Sequence, residues 1–130
     1  MLVRLTHALV DGEGRLVDAL GMDEATGRAL FVPGVLPCGE CGLCRRALVV
    51  ACERAVQVDA SAAPRELSDR FLSPIDADTP PETGALAGIV AGLVDLTARV
   101  GLGPGDVAIV LGDDEWSAVL ADFCAARGLR

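Results

Sequence analysis

A short cysteine-rich loop constrains this chain more than any other feature. Its cysteines follow the spacing C-x2-C-x2-C-x7-C and are Cys38, Cys41, Cys44 and Cys52. Four thiolates at such a spacing suit one tetrahedral Zn²⁺ ion. Gly39 and Gly42 are predicted to occupy tight turns, where a positive φ lets backbone N–H groups point at the sulfurs. A site with four thiolate ligands has no open coordination position, so we expect the metal to be structural.

Length and composition allow one small domain with a real core, and they argue against several functions. The chain has 130 residues, of which 52% are apolar and only 3% aromatic, so Val, Leu and Ala should fill the core. A net charge of −8 disfavours binding to nucleic acid or to anionic membranes, because both require a basic surface. The first residues lack the pattern of a signal peptide, and the clustered cysteines therefore predict a reducing, cytoplasmic location.

The first part of the chain is predicted to be rich in β-strands. Alternating apolar residues, followed by a turn signal at residues 11–14, are typical of a β-hairpin. A polar loop is expected at residues 60–70. The predicted strands cover residues 2–10, 15–20, 29–32, 55–58 and 71–75.

The last part is predicted to be a helix, a strand and a second helix. Apolar residues at helical spacing predict a helix over residues 82–100, with Thr79 as its N-cap. The apolar run at 107–111 is typical of a buried strand. A second helix is expected over 115–127, ending before Gly128.

Two segments resemble a known family. Residues 32–52, which contain the cysteine loop, resemble the structural-zinc loop of zinc-dependent medium-chain alcohol dehydrogenases, and the lead-in is most similar to the branch acting on alicyclic hydroxyacyl-CoA substrates. Residues 102–128 resemble the first strand and helix of that family's nucleotide-binding domain. The resemblance implies an α/β fold, with residues 1–76 as a β-rich remnant of a GroES-like domain carrying a zinc lobe at 38–52. Residues 77–130 would form a partial Rossmann-like helix–strand–helix unit.

The chain departs from this family where the family's chemistry resides. Family enzymes hold a catalytic zinc with ligands outside the structural loop, whereas this sequence has a single histidine, His7, with no Glu beside it. The expected dinucleotide motif G-x-G-x-x-G is replaced by Gly112-Asp-Asp-Glu-Trp-Ser117. Carboxylates would stand where the phosphates bind, and one like-charge contact costs about 4 kcal/mol at ~4 Å. We therefore predict no catalytic residues and disfavour NAD(P) as a cofactor.

Other candidate residues are assigned ordinary roles. Cys124 is expected to be a buried structural thiol, His7 an ordinary surface or core histidine, and Trp116 a core or interface anchor at the start of the last helix. Asp113, Asp114 and Glu115 are interpreted as a helix-capping cluster, with a divalent-ion site as the alternative. Arg45 and Arg46 are expected to offset the charge of the thiolates, with anion binding as the alternative.

These observations predict a zinc-binding, non-catalytic structural or interaction module derived from a medium-chain alcohol dehydrogenase. The predicted partner is a second copy of the chain or a full-length dehydrogenase paralogue. One alternative is a subunit of a zinc-dependent NAD(P) oxidoreductase that a partner chain completes. Another is a redox or zinc sensor that uses the cysteine cluster.

Overall fold

The computed structural model describes residues 1–113 and 115–130, apart from the side chains of Glu115 and Trp116. The chain divides into two compact units, Met1–Gly88 and Ile89–Arg130. This division lies further along the chain than the domain boundary predicted at residues 76 and 77. Among the described residues, no helix combines the length and apolarity needed to cross a membrane.

Short strands dominate the first unit, and helices dominate the second. The helices are α1 (Gly42–Arg45), α2 (Pro81–Ala85), α3 (Ala87–Arg99) and α4 (Glu115–Ala126), with 3₁₀ turns at Val49–Ala51 and Asp69–Phe71. The strands are β1 (Leu2–Val10), β2 (Leu16–Asp23), β3 (Ala29–Pro33), β4 (Val35–Leu36), β5 (Val56–Gln57), β6 (Arg65–Glu66) and β7 (Ser73–Pro74).

An antiparallel sheet with strand order β6-β1-β2-β3-β7 forms the body of the first unit. The predicted hairpin is confirmed, because β1 pairs with β2 along its length from Val3 opposite Asp23 to Val10 opposite Leu16. Asp11 closes the turn by accepting hydrogen bonds from the N–H groups of Glu13 and Arg15, both at 2.9 Å. Strand β6, which pairs with β1, interrupts the loop predicted at 60–70.

One face of this sheet carries the hydrophobic core of the first unit. Aliphatic side chains from β1, β2 and β3 meet there with one residue that follows β5, as the low aromatic content predicts. The fully or nearly buried members of this core are Val3, Leu5, Leu16, Ala19, Leu30, Val32 and Val58.

A second, smaller sheet connects the core to the cysteine loop. Strands β4 and β5 pair antiparallel, with Val35 opposite Gln57. Gly34, between β3 and β4, accepts hydrogen bonds from the Val58 N–H at 2.7 Å and from the Gln57 side-chain amide at 2.9 Å. The same amide donates to the Leu16 carbonyl oxygen at 2.7 Å, so both ends of the cysteine loop are tied to β2 and β3.

The predicted helix over 82–100 is divided at Leu86, which has φ −89° and ψ −2°. Its N-cap is Pro80 and not Thr79. The Leu86 N–H is shared between the carbonyl oxygens of Glu82 at 3.3 Å and Thr83 at 3.1 Å, which is the tightening typical of a helix end. Close packing favours glycine nearby, since a Cβ on Gly88 would lie 2.5 Å from a carboxylate oxygen of Asp18.

The prediction of a buried strand at residues 107–111 is wrong. Within the described residues this segment belongs to neither sheet, and Val107, Ile109 and Leu111 are 68%, 81% and 88% exposed. Its neighbour is the C-terminal residue, because the Ala108 N–H donates to the Arg130 carbonyl oxygen and the Arg130 N–H donates to the Asp106 carbonyl oxygen, both at 2.8 Å. This pattern is that of a single parallel bridge centred on Val107. A run of apolar residues cannot be buried without neighbouring strands.

The buried carboxylate of Asp18 in β2 allows a test of how the stability of the protein depends on pH. Burial raises the pKa of Asp18 from 3.8 to about 6, and a hydrogen bond from the Gly34 backbone only partly opposes this. The folded state therefore holds a proton that the unfolded chain releases, so stability should fall as pH rises from about 4 to about 6. A pKa difference of this size corresponds to about 3 kcal/mol, and solvent screening reduces the expected effect to about 1–2 kcal/mol. Asp18→Asn should stabilise the protein by that amount at pH 7, measured by denaturant unfolding.

Asp23, in the same strand, is the matched control. The Thr26 hydroxyl and the Ala25 N–H donate to its carboxylate and lower its pKa. Its contribution to stability is present above pH 4 and is lost as pH falls, so Asp23→Asn should destabilise the protein at pH 7. Equal effects of the two substitutions would contradict the assignment.

Candidate metal centre

The structure brings all four predicted cysteine sulfurs together. The sulfurs of Cys38, Cys41, Cys44 and Cys52 all lie within 4.8 Å of one another. Two of the Sγ–Sγ distances, Cys38 to Cys44 and Cys41 to Cys52, are 3.9 Å. All four thiols are free, and a disulfide would need its sulfurs about 2.05 Å apart. Among the side chains that the structure describes, this cluster is the one group of three or more potential metal ligands.

Local backbone structure places these sulfurs. Cys41 is the N-cap of α1, and its sulfur accepts a hydrogen bond from the Cys44 N–H at 3.4 Å. Gly39 has φ +75°, and a Cβ there would lie 2.7 Å from the guanidinium of Arg70, so glycine is favoured. Gly42 is the first residue of α1 and has no positive φ, so its predicted turn role is wrong.

Backbone N–H groups point at the sulfurs, as predicted for the turns of this loop. The Cys41 N–H lies 3.3 Å from the Cys38 sulfur, and the Cys38 N–H lies 3.3 Å from the Cys52 sulfur. Such dipoles stabilise thiolates over thiols. Hydrogen bonds from the Glu40 and Cys41 backbones lower the pKa of Cys38 from 9.0 to about 6.

Burial has the opposite effect on the thiol at the centre of the loop. Cys44 is buried, and desolvation followed by the neighbouring sulfurs raises its pKa from 9.0 to about 12. A backbone hydrogen bond lowers the pKa of Cys41. Four negative charges so close together require a cation, because like-charge repulsion opposes the ionisation of all four.

Arginine side chains contact the loop, but they are not the ones predicted. The negative charge of the Cys38 thiolate, with a hydrogen bond to the same sulfur, raises the pKa of Arg54. Arg70 donates to the Gly39 carbonyl oxygen at 3.0 Å and stacks over Phe71 at 5.4 Å. Within the described residues, the exposed side chains of Arg45 and Arg46 form no hydrogen bond or ion pair with the cluster. The position of Arg54 two residues after Cys52 was the available sequence signal.

The donor set fits one tetrahedral divalent ion. Four sulfurs at about 2.3 Å from a zinc ion would lie about 3.8 Å apart, close to the two observed distances of 3.9 Å. Thiolate ligands favour Zn²⁺ over Mg²⁺ and Ca²⁺, which prefer oxygen. Such an ion would use all four sulfurs and hold the loop together.

The remaining candidates are not members of this cluster. His7 is an exposed residue of β1, opposite Leu20. Cys124 is buried in α4, as expected. Asp113 is exposed and directly precedes the residues outside the structural description, so the predicted cluster with Asp114 and Glu115 and the role of Trp116 fall outside the described part.

Comparison with solved structures identifies the fold. The chain superimposes on the alcohol dehydrogenase TADH from Thermus sp. ATN1 with a TM-score of 0.78, at 21% sequence identity, over 98% of this chain. The chain spans 48% of the length of that enzyme. No family model matches the sequence, and a search of curated proteins finds no significant match. The predicted resemblance to alcohol dehydrogenases is thus confirmed at the level of the fold.

Metal content tests the cysteine cluster. We expect one zinc ion per chain after purification without added metal, measured by native mass spectrometry and elemental analysis. Cys52→Ser should abolish tight binding and lower the melting temperature, because the ligands in the loop would lose their cation. Cys124→Ser removes the fifth cysteine outside the cluster and should retain zinc. Disulfides in place of zinc in the wild type would contradict the metal assignment.

The Arg54 contact gives a separate prediction. Arg54→Gln removes the positive charge beside the Cys38 sulfur, so zinc affinity should fall about tenfold, as for other residues that contact metal ligands. Arg46→Gln makes the same change in charge without that contact and should have little effect. Competition with a chromophoric chelator measures both affinities, and equal losses would show that only net charge matters.

Proposed function

We propose that this protein is a zinc-stapled, non-catalytic interaction module with an alcohol dehydrogenase-like fold. The observation that carries the proposal is the cluster of four cysteine sulfurs within 4.8 Å, which suits a closed structural site. A closed site leaves no position for a substrate or for a metal-bound water. Its role is to fix the shape of the loop that it holds.

The surface of this loop supports a role in binding. We use the name lobe patch for exposed apolar residues of β4, β5 and the segment between them. Val50 is 98% exposed, and a groove of about 310 Å³ lies beside it. Exposed apolar clusters of this kind mark interaction sites. The lobe patch comprises Val35, Leu48, Val49, Val50 and Val56.

The non-catalytic part of the proposal rests on chemistry that the sequence carries. Its single histidine lies in β1, opposite Leu20, and the cysteines available to a metal are in the loop. Residues 112–115 read Gly-Asp-Asp-Glu, which places negative charge where a dinucleotide-binding turn presents N–H groups to phosphate. This composition disfavours NAD(P) as a cofactor. We also propose that the second unit is a partial Rossmann-like helix–strand–helix unit.

The partner that we propose for the lobe patch is a full-length dehydrogenase paralogue or a second copy of this chain. Val50→Asp places a charge on the most exposed residue of the patch and should weaken binding at least tenfold. Val100→Asp makes the same change at an exposed apolar site of the second unit and should not. Titration calorimetry with the purified paralogue from the same genome, and sedimentation of the chain alone, measure the two cases.

Three outcomes would overturn the proposal. Failure of the zinc-loaded chain to bind either partner would contradict the interaction role. Equal affinities of Val50→Asp and Val100→Asp would contradict the assignment of binding to the lobe patch. Saturable binding of NAD(P)H would favour the alternative, an oxidoreductase subunit completed by a partner chain. Zinc analysis of each variant controls for loss of the loop.

A further inference from the structure

The guanidinium of Arg70 lies at the turn between the first two cysteines of the cluster. Its Nη1 donates to the carbonyl oxygen of Gly39 at 3.0 Å, across 31 positions of sequence. Gly39 directly follows Cys38 and is buried. The turn is therefore held by a side chain from outside the cysteine loop.

The peptide unit between Gly39 and Glu40 joins this guanidinium to a sulfur of the cluster. A trans peptide points its C=O and N–H groups to opposite sides. The C=O of this unit accepts from Arg70, and its N–H, which is that of Glu40, donates to the sulfur of Cys38. Positive charge thus stands at one end of the peptide dipole and the sulfur at the other end.

We propose that Arg70 is a positioning residue of the cysteine cluster and acts on the Cys38 sulfur through the peptide between Gly39 and Glu40. The guanidinium fixes the orientation of this peptide. It also strengthens the N–H···S bond at the far end, because hydrogen bonds in a chain polarise one another and a charged donor makes the first one strong. That bond stabilises the negative charge of a sulfur ligand. The inference rests on the zinc site of the proposed function.

The conformation of Gly39 shows why the turn needs such a contact. Gly39 has φ +75°, whereas Glu40 has no positive φ, which is the φ pattern of a type II′ turn. Glycine takes positive and negative φ about equally readily, so its own backbone does not hold this conformation. A rotation that exchanged the C=O and N–H sides of the peptide would break the bond to Arg70. It would also turn the Glu40 N–H away from the sulfur.

Arg70 is itself held in place by the fold of the first unit. It is the central residue of the 3₁₀ turn Asp69–Phe71, and its guanidinium carbon lies 5.4 Å from the centre of the Phe71 ring. This turn leads into β7, which pairs with β3 of the sheet. The contact with the loop is close, since a Cβ on Gly39 would lie 2.7 Å from Nη1 of Arg70. The sheet can therefore set the position of the cysteine turn through Arg70.

Zinc affinity of the full chain, measured by competition with a chromophoric chelator, is the first test. Arg70→Met keeps an unbranched apolar chain but removes the charge and the donor, so the affinity should fall about tenfold. Arg70→Lys keeps a charge and a donor and should recover part of this loss. Arg65 is the matched control, because it also donates to backbone carbonyl oxygens, but to those of residues 59–63. Arg65→Met should leave the zinc affinity unchanged.

Amide proton shifts of the zinc-loaded chain distinguish this role from a general loss of stability. Arg70→Met should move the Glu40 amide proton upfield, because its N–H···S bond weakens, and Arg70→Lys should give a smaller shift. The Cys44 amide, which lies 3.4 Å from the Cys41 sulfur, is the internal control and should move much less. A Glu40 amide that does not move, or equal shifts of the two amides, would overturn the proposal.

Metal content of the wild type separates this inference from the proposed function. A wild type that binds no zinc would contradict both. A zinc-loaded wild type whose affinity is unchanged in Arg70→Met, or lowered equally in Arg70→Met and Arg65→Met, would contradict the role of Arg70 alone. Partner binding through the lobe patch is measured independently, because Arg70 is not part of that patch.

Discussion

Convergence of four thiols on a space that suits one metal ion is the interaction on which the lobe depends. The loop offers little apolar burial of its own, since Leu48 and Val50 are exposed. The loop is held in place by N–H groups that point at the sulfurs and by Arg54 beside Cys38. A cation is also needed to balance the charge of four thiolates. Without a cation, a thiolate at Cys38 would face a protonated Cys44, because hydrogen bonding lowers one pKa and burial raises the other. A dication removes this conflict by stabilising all four thiolates together.

The same loop is held to the body of the first unit by contacts distant in sequence. Gln57 bonds to carbonyl oxygens of β2 and of Gly34, and Arg70 bonds to Gly39 within the cysteine loop. The aliphatic core beneath the sheet fixes β2 and β3, and these strands fix both ends of the lobe. Metal binding and sheet stability should therefore be coupled, because each holds residues that the other needs in place.

Local sequence signals predicted the parts of the fold whose causes are local. Alternation and the Asp11 turn were enough for the β1–β2 hairpin, and cysteine spacing was enough to bring the four sulfurs together. Strand β6 was missed because two residues become a strand only through their pairing with β1. Arg70 was missed because its partner Gly39 is 31 residues away in sequence. The division at Leu86 reflects packing of the neighbouring helix residues on β2, which periodicity does not report.

The segment Val107–Leu111 shows why an apolar run alone does not determine burial. Its composition is that of a central strand, yet burial requires strands on both sides, and in the described structure Arg130 supplies only one bridge. The lobe patch depends on different physics, because it keeps its shape through metal binding and not through the packing of strands. Removal of zinc should therefore disable that surface.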